Sequence, residues 1–400
     1  MADAELHRLA PAFLLVVALL VVLRSWWRSW RARRTLFRLG LGAKHSLPEL
    51  SLRAVQSGRK LVRFAILVPA HGKSRVIANA LIRLSGLNYD PRFFSVYVIA
   101  DAHEKPVAGG PPTAQIASAL ADLLNRSLEH PVFHVLHSPE HGDGRISNAG
   151  VPALTSSQGR ALNVALRHLQ GLPMLPDLIG VLDADGRLDP DGLIEAGWRY
   201  LVDGSRLLQG PVFQVARLDR VDLFGVMAGL ENPINHLPFL ASQLCSRYGN
   251  SWLLSGANYF ICPRLLLAVG GWRSQVPVEA TDLGLRLFLR YRIRADRLAC
   301  AQLKQSSPSP AVSLKQSQRW LRGHLQLLLQ IRQSSLTGVT RLRLYGQVIQ
   351  ALISGPLTVL SSLFCSWCWP CSTLNLRRLR SGSAARPPLS ARLRPNGMQC

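Results

Sequence analysis

The chain has 400 residues, of which 48% are hydrophobic, so it is long enough to bury the core of one large domain or of two smaller ones. Lys and Arg total 47 against 23 Asp and Glu, which gives a formal net charge of +24, and only six of the basic residues are lysine. Such a charge suits nucleic acid, anionic lipid or a phosphorylated substrate, but the arginines cluster beside apolar segments and no zinc-finger or RRM signature is present, so we expect no nucleic acid.

An apolar segment over residues 9–23 precedes tryptophans interspersed with arginines. This pattern predicts a membrane helix with an aromatic belt, so we interpret residues 1–37 as an N-terminal membrane anchor with a basic flank. A bilayer needs about 20 apolar residues, so either the helix continues through Trp27 or the Arg24 side chain snorkels to the interface. A signal peptide would carry its positive charge in front of the apolar run, and a buried amphipathic helix is the alternative that stays open. The positive-inside rule puts Arg28 and the residues after it in the cytosol.

Residues 38–60 contain Gly, Ser and Pro without a clear period, and we predict a linker there. From residue 61 onward, apolar runs of strand length alternate with segments of helical spacing. This βαβ series predicts an α/β domain with a mostly parallel sheet over 61–310, in which residues 221–244 form a packed helix. The predicted strands cover residues 62–69, 94–100, 132–137, 178–182 and 206–214, and the predicted helices cover 74–85, 111–128, 159–169 and 191–200.

Carboxylates stand where two of these strands end. Asp101 ends the second predicted strand, and Asp183 and Asp185 follow the fourth. Residues two apart on an extended chain point the same way, so both carboxylates of the pair can reach one divalent cation, while Gly186 lets the backbone turn away. Ligands usually bind at the C-terminal edge of an open α/β sheet. The pattern therefore predicts an Mg²⁺ or Mn²⁺ site that holds a diphosphate, and a solvated Asp-Gly turn is the alternative.

Two helices near the end of this domain carry further candidates. Thr281 is predicted to cap a helix, which places Asp282 in its first turn. An Asp in that place favours the helix dipole, and a general base would look the same at this level. The next helix, predicted over 311–335 as an amphipathic helix, presents an amide, a guanidinium and an indole on or beside one face. These are Gln316, Arg319 and Trp320.

The C-terminal part begins with an uncharged segment. Residues 345–371 are long and apolar enough to span a bilayer, so we predict a C-terminal membrane segment, kinked at Gly355 and Pro356. The tail over 372–400 is rich in Arg, Ser and Pro and has no acid, so we expect disorder there. A full crossing would place this basic tail outside, against the positive-inside rule, so the segment is either re-entrant or atypical.

The acids and the helix motif stand in an order that resembles membrane-associated family 2 glycosyltransferases, the group that contains cellulose and hyaluronan synthases. The resemblance covers roughly residues 60–335. It implies a GT-A fold, which is a Rossmann-like α/β domain with a mostly parallel sheet, here between N-terminal and C-terminal membrane helices. The elements that carry it are Asp101, Asp183-x-Asp185, Thr281-Asp282 and Gln316-x-x-Arg319-Trp320.

The resemblance implies roles for the residues on the donor side. A UDP-sugar would contact Asp101 through its uridine. Asp183 and Asp185 would hold the diphosphate, and Asp185 would do so through Mg²⁺ or Mn²⁺. Arg319 would steady the diphosphate as it leaves, and no covalent enzyme intermediate is needed.

On the acceptor side, the resemblance implies that Asp282 deprotonates a hydroxyl for an inverting displacement, while Trp320 and Gln316 contact the acceptor sugar. We therefore expect a metal-dependent hexosyltransferase that moves a sugar from a UDP-sugar to a saccharide or lipid-linked acceptor. We expect the enzyme at the cytosolic face of a bacterial inner membrane, in contact with membrane lipid. Only one predicted span follows the last motif, so either no polymer is exported or a membrane-protein partner completes a channel.

Two sites depart from the family pattern. Gly72-Lys73 stands where the family commonly has Asn-Glu, and Gln158 stands where it commonly has Lys. Both changes touch the predicted nucleotide side, and Lys73 could supply the positive charge lost at Gln158. The alternative function is therefore a catalytically impaired family member that acts as a membrane-anchored binding or scaffold protein.

Overall fold

The computed structural model of the protein describes residues 27, 42–101, 104, 110–138, 157–216, 252–305 and 310–349. Several predictions fall outside these residues: the apolar segment 9–23, the helix over 221–244, nearly all of the segment 345–371 and the tail 372–400. In the part of the chain that is described, no helix is both long enough and apolar enough to cross a membrane.

Helices and strands alternate through the described residues, as predicted for the βαβ series. The helices are α1 (Leu47–Gln56), α2 (Ile77–Ser85), α3 (Thr113–Asn125), α4 (Ser157–Gln170), α5 (Gly192–Leu201), α6 (Pro263–Ala268), α7 (Glu279–Tyr291) and α8 (Pro310–Arg332). The strands are β1 (Phe64–Ala70), β2 (Phe94–Asp101), β3 (Phe133–Ser138), β4 (Leu178–Val181), β5 (Arg187–Leu188), β6 (Leu207–Gln209), β7 (Val212–Ala216), β8 (Tyr259–Ile261), β9 (Asp296–Arg297) and β10 (Gln302–Gln305). A further helical stretch covers residues 338–349.

The main sheet has the strand order β3-β2-β1-β4-β8-β6-β9. Strands β1 to β4 run parallel to one another, and β8 is antiparallel to both β4 and β6, so the prediction of a mostly parallel sheet is confirmed. Phe64 of β1 is in register with Phe94 of β2 and with Leu178 of β4. Because these strands start level and run the same way, their carboxyl ends meet at one edge of the sheet.

Both faces of this sheet are buried, and the residues of β1 alternate between them. Phe64, Ile66 and Val68 pack with α1, α2, α3 and α5 on one face. Ala65 and Leu67 pack with α4, α6 and α7 on the other. A separate apolar cluster joins α7 to α8 and to the stretch 338–349, and so attaches the last helix to the domain.

The single strand predicted over 206–214 is divided between two sheets. Gln209 ends β6 in the main sheet, and β7 belongs to a second sheet with the order β5-β10-β7. Pro211 lies between them and has no N–H for a sheet hydrogen bond. The buried Asn258 side chain holds the junction, since its amide donates to the carbonyls of Pro211 at 2.9 Å and Cys300 at 3.1 Å. A proline and a buried amide therefore turn one apolar run into two strands.

The prediction of a linker over 38–60 was wrong, because α1 lies inside it. Ser46 and Glu49 form a capping box, in which the Ser46 backbone donates to Glu49 Oε2 at 2.8 Å and Ser46 Oγ accepts from the Glu49 backbone. Leu50 and Ala54 are buried against the domain. The segment lacks a clear period in its sequence, so the helix was not predicted, although the Ser-x-x-Glu pattern was a local signal for it.

Candidate active site

The carboxyl ends of β2 and β4 open into a cavity of about 320 Å³, which we call the edge cavity. Asp101, Asp183 and Asp185 all line it, as predicted from their positions at strand ends. The imidazole of His71 contacts Asp101, with Nδ1 and Oδ2 3.0 Å apart. Basic and amide side chains line the rest of this cavity: Lys73, Gln158, Arg160, Lys304, Gln316 and Arg319.

The turn after β4 packs against the second sheet. Gly186 donates its N–H to the Asp183 carbonyl at 2.9 Å, and a side chain at position 186 would overlap the Gln302 side chain. Gln302 also contacts the turn directly, because its amide lies 3.3 Å from the same carbonyl. This contact brings β10, and with it Lys304, against the Asp183-x-Asp185 pair.

Each carboxylate of that pair contacts a lysine. Lys304 Nζ donates to Asp183 Oδ2 at 2.8 Å, and Lys73 Nζ donates to Asp185 Oδ2 at 3.1 Å. The lysines come from different segments, one from β10 and one from the turn after β1. The Lys304 side chain is 18% exposed and that of Lys73 is 36% exposed. Lys304 could not be predicted from the sequence, because nothing local links residue 304 to residue 183.

The charges of the inner pair stabilise each other. Burial raises the pKa of Asp183, but the cations of Lys304, Lys73 and Arg319 outweigh it and leave the pKa below its usual value. Burial likewise lowers the pKa of Lys304, but Asp183 and Asp185 outweigh it and leave the pKa raised. Both groups are therefore ionised at neutral pH.

These contacts bear on the predicted Mg²⁺ or Mn²⁺ ion. Among the described residues, no three His, Cys, Asp or Glu side chains lie close enough together to hold a metal. A divalent ion on these carboxylates would have to displace or repel the ammonium groups that contact them. The residues present do not fit the ion, because two ammonium groups already neutralise the carboxylates that would bind it.

A second cavity, of about 250 Å³, lies between α7 and α8, and we call it the helix cavity. Glu279 and Thr281 line it from α7, and Trp320 and His324 line it from α8. It adjoins the edge cavity, because the two are lined in common by Gln158, Asp183, Lys304, Gln316 and Arg319. The structure therefore brings the predicted residues of α8 and the acids of the sheet edge into one site.

Asp282, the predicted general base, does not line either cavity. Its side chain is 0% exposed. Oδ2 accepts from Arg286 Nε at 2.7 Å, and Oδ1 accepts from Gln330 Nε2 at 2.9 Å. Arg273 lies 3.5 Å from the same carboxylate. This geometry corrects the prediction, because Asp282 joins α7 to α8 inside the protein and does not face a substrate.

The prediction failed because the start of α7 was misplaced. The helix begins at Glu279, and Thr281 lies in its first turn and donates Oγ1 to the Leu254 carbonyl at 3.0 Å instead of capping the helix. Asp282 is still in the first turn, as predicted, but on the buried side. The acid of α7 that lines the helix cavity is Glu279, which is 5% exposed.

His324 also lines the helix cavity and was not predicted. Its Nδ1 lies 2.7 Å from the carbonyl oxygen of Trp320, four residues earlier on α8. A carbonyl can only accept a hydrogen bond, so Nδ1 carries the proton and Nε2 is the acceptor when the ring is neutral. Burial lowers the pKa of this imidazole, which favours the neutral ring at pH 7.

Three solved structures with a similar fold are informative about the architecture. The mannosyltransferase PcManGT from Pyrobaculum calidifontis, in complex with GDP-Man and Mn²⁺, is 15% identical, with 92% of this chain and 91% of that chain covered and a TM-score of 0.51. S. aureus TarS 1-349 is 13% identical, with 72% and 70% covered and a TM-score of 0.43. Glucosyl-3-phosphoglycerate synthase from Mycobacterium tuberculosis, in complex with Mg²⁺ and uridine-diphosphate, is 15% identical, with 68% and 80% covered and a TM-score of 0.41.

At such identities the likeness concerns the fold alone, and it rests on the first of the three. No curated protein matches the chain in sequence. The family model described as glycosyl transferase family group 2 matches residues 178–377, which is half of the chain and contains the Asp183-x-Asp185 pair, α7 and α8. The protein therefore belongs to glycosyl transferase family group 2 and is a glycosyltransferase with the GT-A fold.

Proposed function

We propose that this protein transfers a sugar from a UDP-sugar to a hydroxyl of a saccharide or lipid-linked acceptor, with inversion at the sugar carbon. The observation that carries the proposal is the pair of adjoining cavities, which share Asp183 and Arg319. The edge cavity is charged and lies where α/β sheets bind nucleotides. The helix cavity combines an acid and an indole, which suits a sugar hydroxyl and a sugar face.

In the edge cavity, the nucleotide of the donor binds at the carboxyl ends of β2 and β4. Asp101 accepts hydrogen bonds from the uridine, and His71, 3.0 Å away, orients the carboxylate. The diphosphate lies over the Asp183-x-Asp185 turn. Arg319, which lines both cavities, contacts the diphosphate and neutralises the charge that develops as it leaves.

In the helix cavity, the acceptor sugar packs on Trp320, whose side chain is 37% exposed, and Gln316 donates or accepts a hydrogen bond beside it. We propose Glu279, in place of Asp282, as the general base. Its carboxylate takes the proton of the attacking hydroxyl, the oxygen bonds to the anomeric carbon, and the bond to the diphosphate breaks with its electron pair. Attack from the side opposite the leaving group gives inversion.

Measuring transfer from a panel of UDP-sugars, alongside UDP binding, tests this proposal. Glu279→Gln should retain UDP binding and lose transfer by about 10²–10⁴-fold, the usual contribution of a general base. Glu129→Gln, at an exposed acid outside the site, is the control and should retain both UDP binding and transfer. If Glu279→Gln retains transfer while His324→Ala loses it, the imidazole is the base. A protein that binds UDP and transfers no sugar supports the scaffold function instead.

We further propose, from the sequence, that the enzyme works at the cytosolic face of a membrane, held there by residues 9–23 and 348–371, with membrane lipid and a membrane-protein partner as neighbours. Cysteines introduced over 28–38 should resist an impermeant thiol reagent in intact cells, and a cysteine near Asp3 should react. The reverse labelling would place the catalytic domain outside, away from cytosolic UDP-sugars.

A further inference from the structure

More cationic than anionic side chains line the edge cavity. The cationic side chains that line it are Lys73, Arg160, Lys304 and Arg319, and the carboxylates that line it are Asp101, Asp183 and Asp185. The four cationic side chains outnumber the three carboxylates by one before any ligand arrives. Side chains of this cavity therefore offer a diphosphate several cationic hydrogen-bond donors.

The ammonium groups of the two lysines lie where a divalent metal ion would bind the carboxylates. Lys304 reaches Asp183 from β10, and Lys73 reaches Asp185 from the turn after β1, so ammonium groups contact both carboxylates from different segments. Gly72, with φ of 63°, adopts the left-handed conformation that starts this turn, and the Lys73 backbone N–H donates to Thr113 Oγ1 at 2.9 Å. The fold therefore fixes the backbone of Lys73 beside the Asp183-x-Asp185 turn.

We propose that Lys73 and Lys304 do the work of the divalent ion, so that the nucleoside diphosphate binds and leaves without a metal. This inference rests on the proposed function, since it takes the ligand to be a nucleoside diphosphate. Each ammonium has three N–H donors, and the ion pair with aspartate uses one of them. The remaining donors bind the phosphate oxygens, while Asp183 and Asp185 hold the ammonium groups in place.

The first experiment measures UDP binding to the full-length chain in detergent by calorimetry, once in EDTA and once in Mn²⁺. The proposal expects a Kd in EDTA within about threefold of the Kd in Mn²⁺, a difference of under about 1 kcal/mol. Binding that requires Mn²⁺ overturns the lysine assignment and leaves the proposed function standing. Binding of neither UDP nor GDP under either condition overturns the proposed function, and with it this inference.

The second experiment removes one ammonium. Lys73→Ala should weaken UDP binding in EDTA about ten- to a hundredfold, because a charge-assisted hydrogen bond is lost. Mn²⁺ should then restore binding, since Asp185 is released to hold an ion. Lys60→Ala, at an exposed lysine outside the site, should change nothing, and equal melting temperatures show that both variants fold. Unchanged UDP affinity of Lys73→Ala in EDTA would overturn the proposal.

Discussion

Replacing Asp282 with asparagine separates a structural carboxylate from a catalytic one. In the wild-type protein, Asp282 is the carboxylate that contacts Arg286, a guanidinium that is 9% exposed and also donates to the carbonyls of Val269 and Gly271 at 2.6 and 2.8 Å. Burial lowers the pKa of Arg286, and Asp282 partly counteracts that effect. The variant therefore leaves a buried cation without its counter-ion.

Breaking a buried ion pair costs about 3–5 kcal/mol. We expect the low end, about 3 kcal/mol, because the two carbonyls still accept hydrogen bonds from Arg286. For a domain of this size, each kcal/mol lowers the Tm by about 2–4 °C, so the expected shift is about 6–12 °C. Asp203→Asn is a matched control, since Asp203 pairs with Arg199 at the surface at 2.7 Å and should cost under about 1 kcal/mol.

Thermal unfolding in detergent measures the shift, and transfer kinetics well below both melting temperatures measure the activity. Asp282→Asn should lose stability and keep most of its transfer rate at low temperature. An unchanged Tm together with lost transfer would refute the reasoning and restore Asp282 as the base.

Three further perturbations test other parts of the structure. Trp320→Ala should lower kcat/KM for the acceptor about ten- to a hundredfold and leave UDP binding and membrane retention intact. If the variant instead dissociates from membranes and its acceptor kinetics are unchanged, the indole is a membrane anchor. Gly284→Ala should destabilise the fold by about 1–3 kcal/mol in urea unfolding, because the new methyl overlaps the Trp252 carbonyl, whereas Gly338→Ala, with no atom nearby, should not. Burial lowers the pKa of His134 below 6.5, so the unfolded chain binds more protons below that pH. Stability should therefore fall from pH 7 to 5, and His134→Gln should reduce that slope.

The sequence predicted the main sheet well because its signals are local. Phe64 to Ala70 and Phe94 to Asp101 are strand-length apolar runs, each followed by polar residues, and their parallel pairing follows from the helices between them. The acids at 101, 183 and 185 could be placed at one edge for the same reason. The position of a residue along a strand is enough to predict at which edge of the sheet its side chain lies.

The parts that were missed depend on contacts between distant segments. Lys304 contacts Asp183 because β10 lies between β5 and β7 in a second sheet. The hydrophobic periodicity of the sequence does not predict that sheet. The start of α7 was misplaced because Val278 precedes it without a capping side chain, so Thr281 looked like the better cap. Asp282 was therefore assigned to the wrong side of the helix, and Glu279 was overlooked.

The helix α8 forms a wall of both cavities, and its attachment is uneven. From Gly323 onward it is held: Val278 packs where a side chain at 323 would stand, and Leu327 and Ile331 are buried beside α7. Gln316 and Arg319, which line both cavities, lie before that point. Because Gln316 and Arg319 border both cavities, a substitution at either position changes the two cavities together.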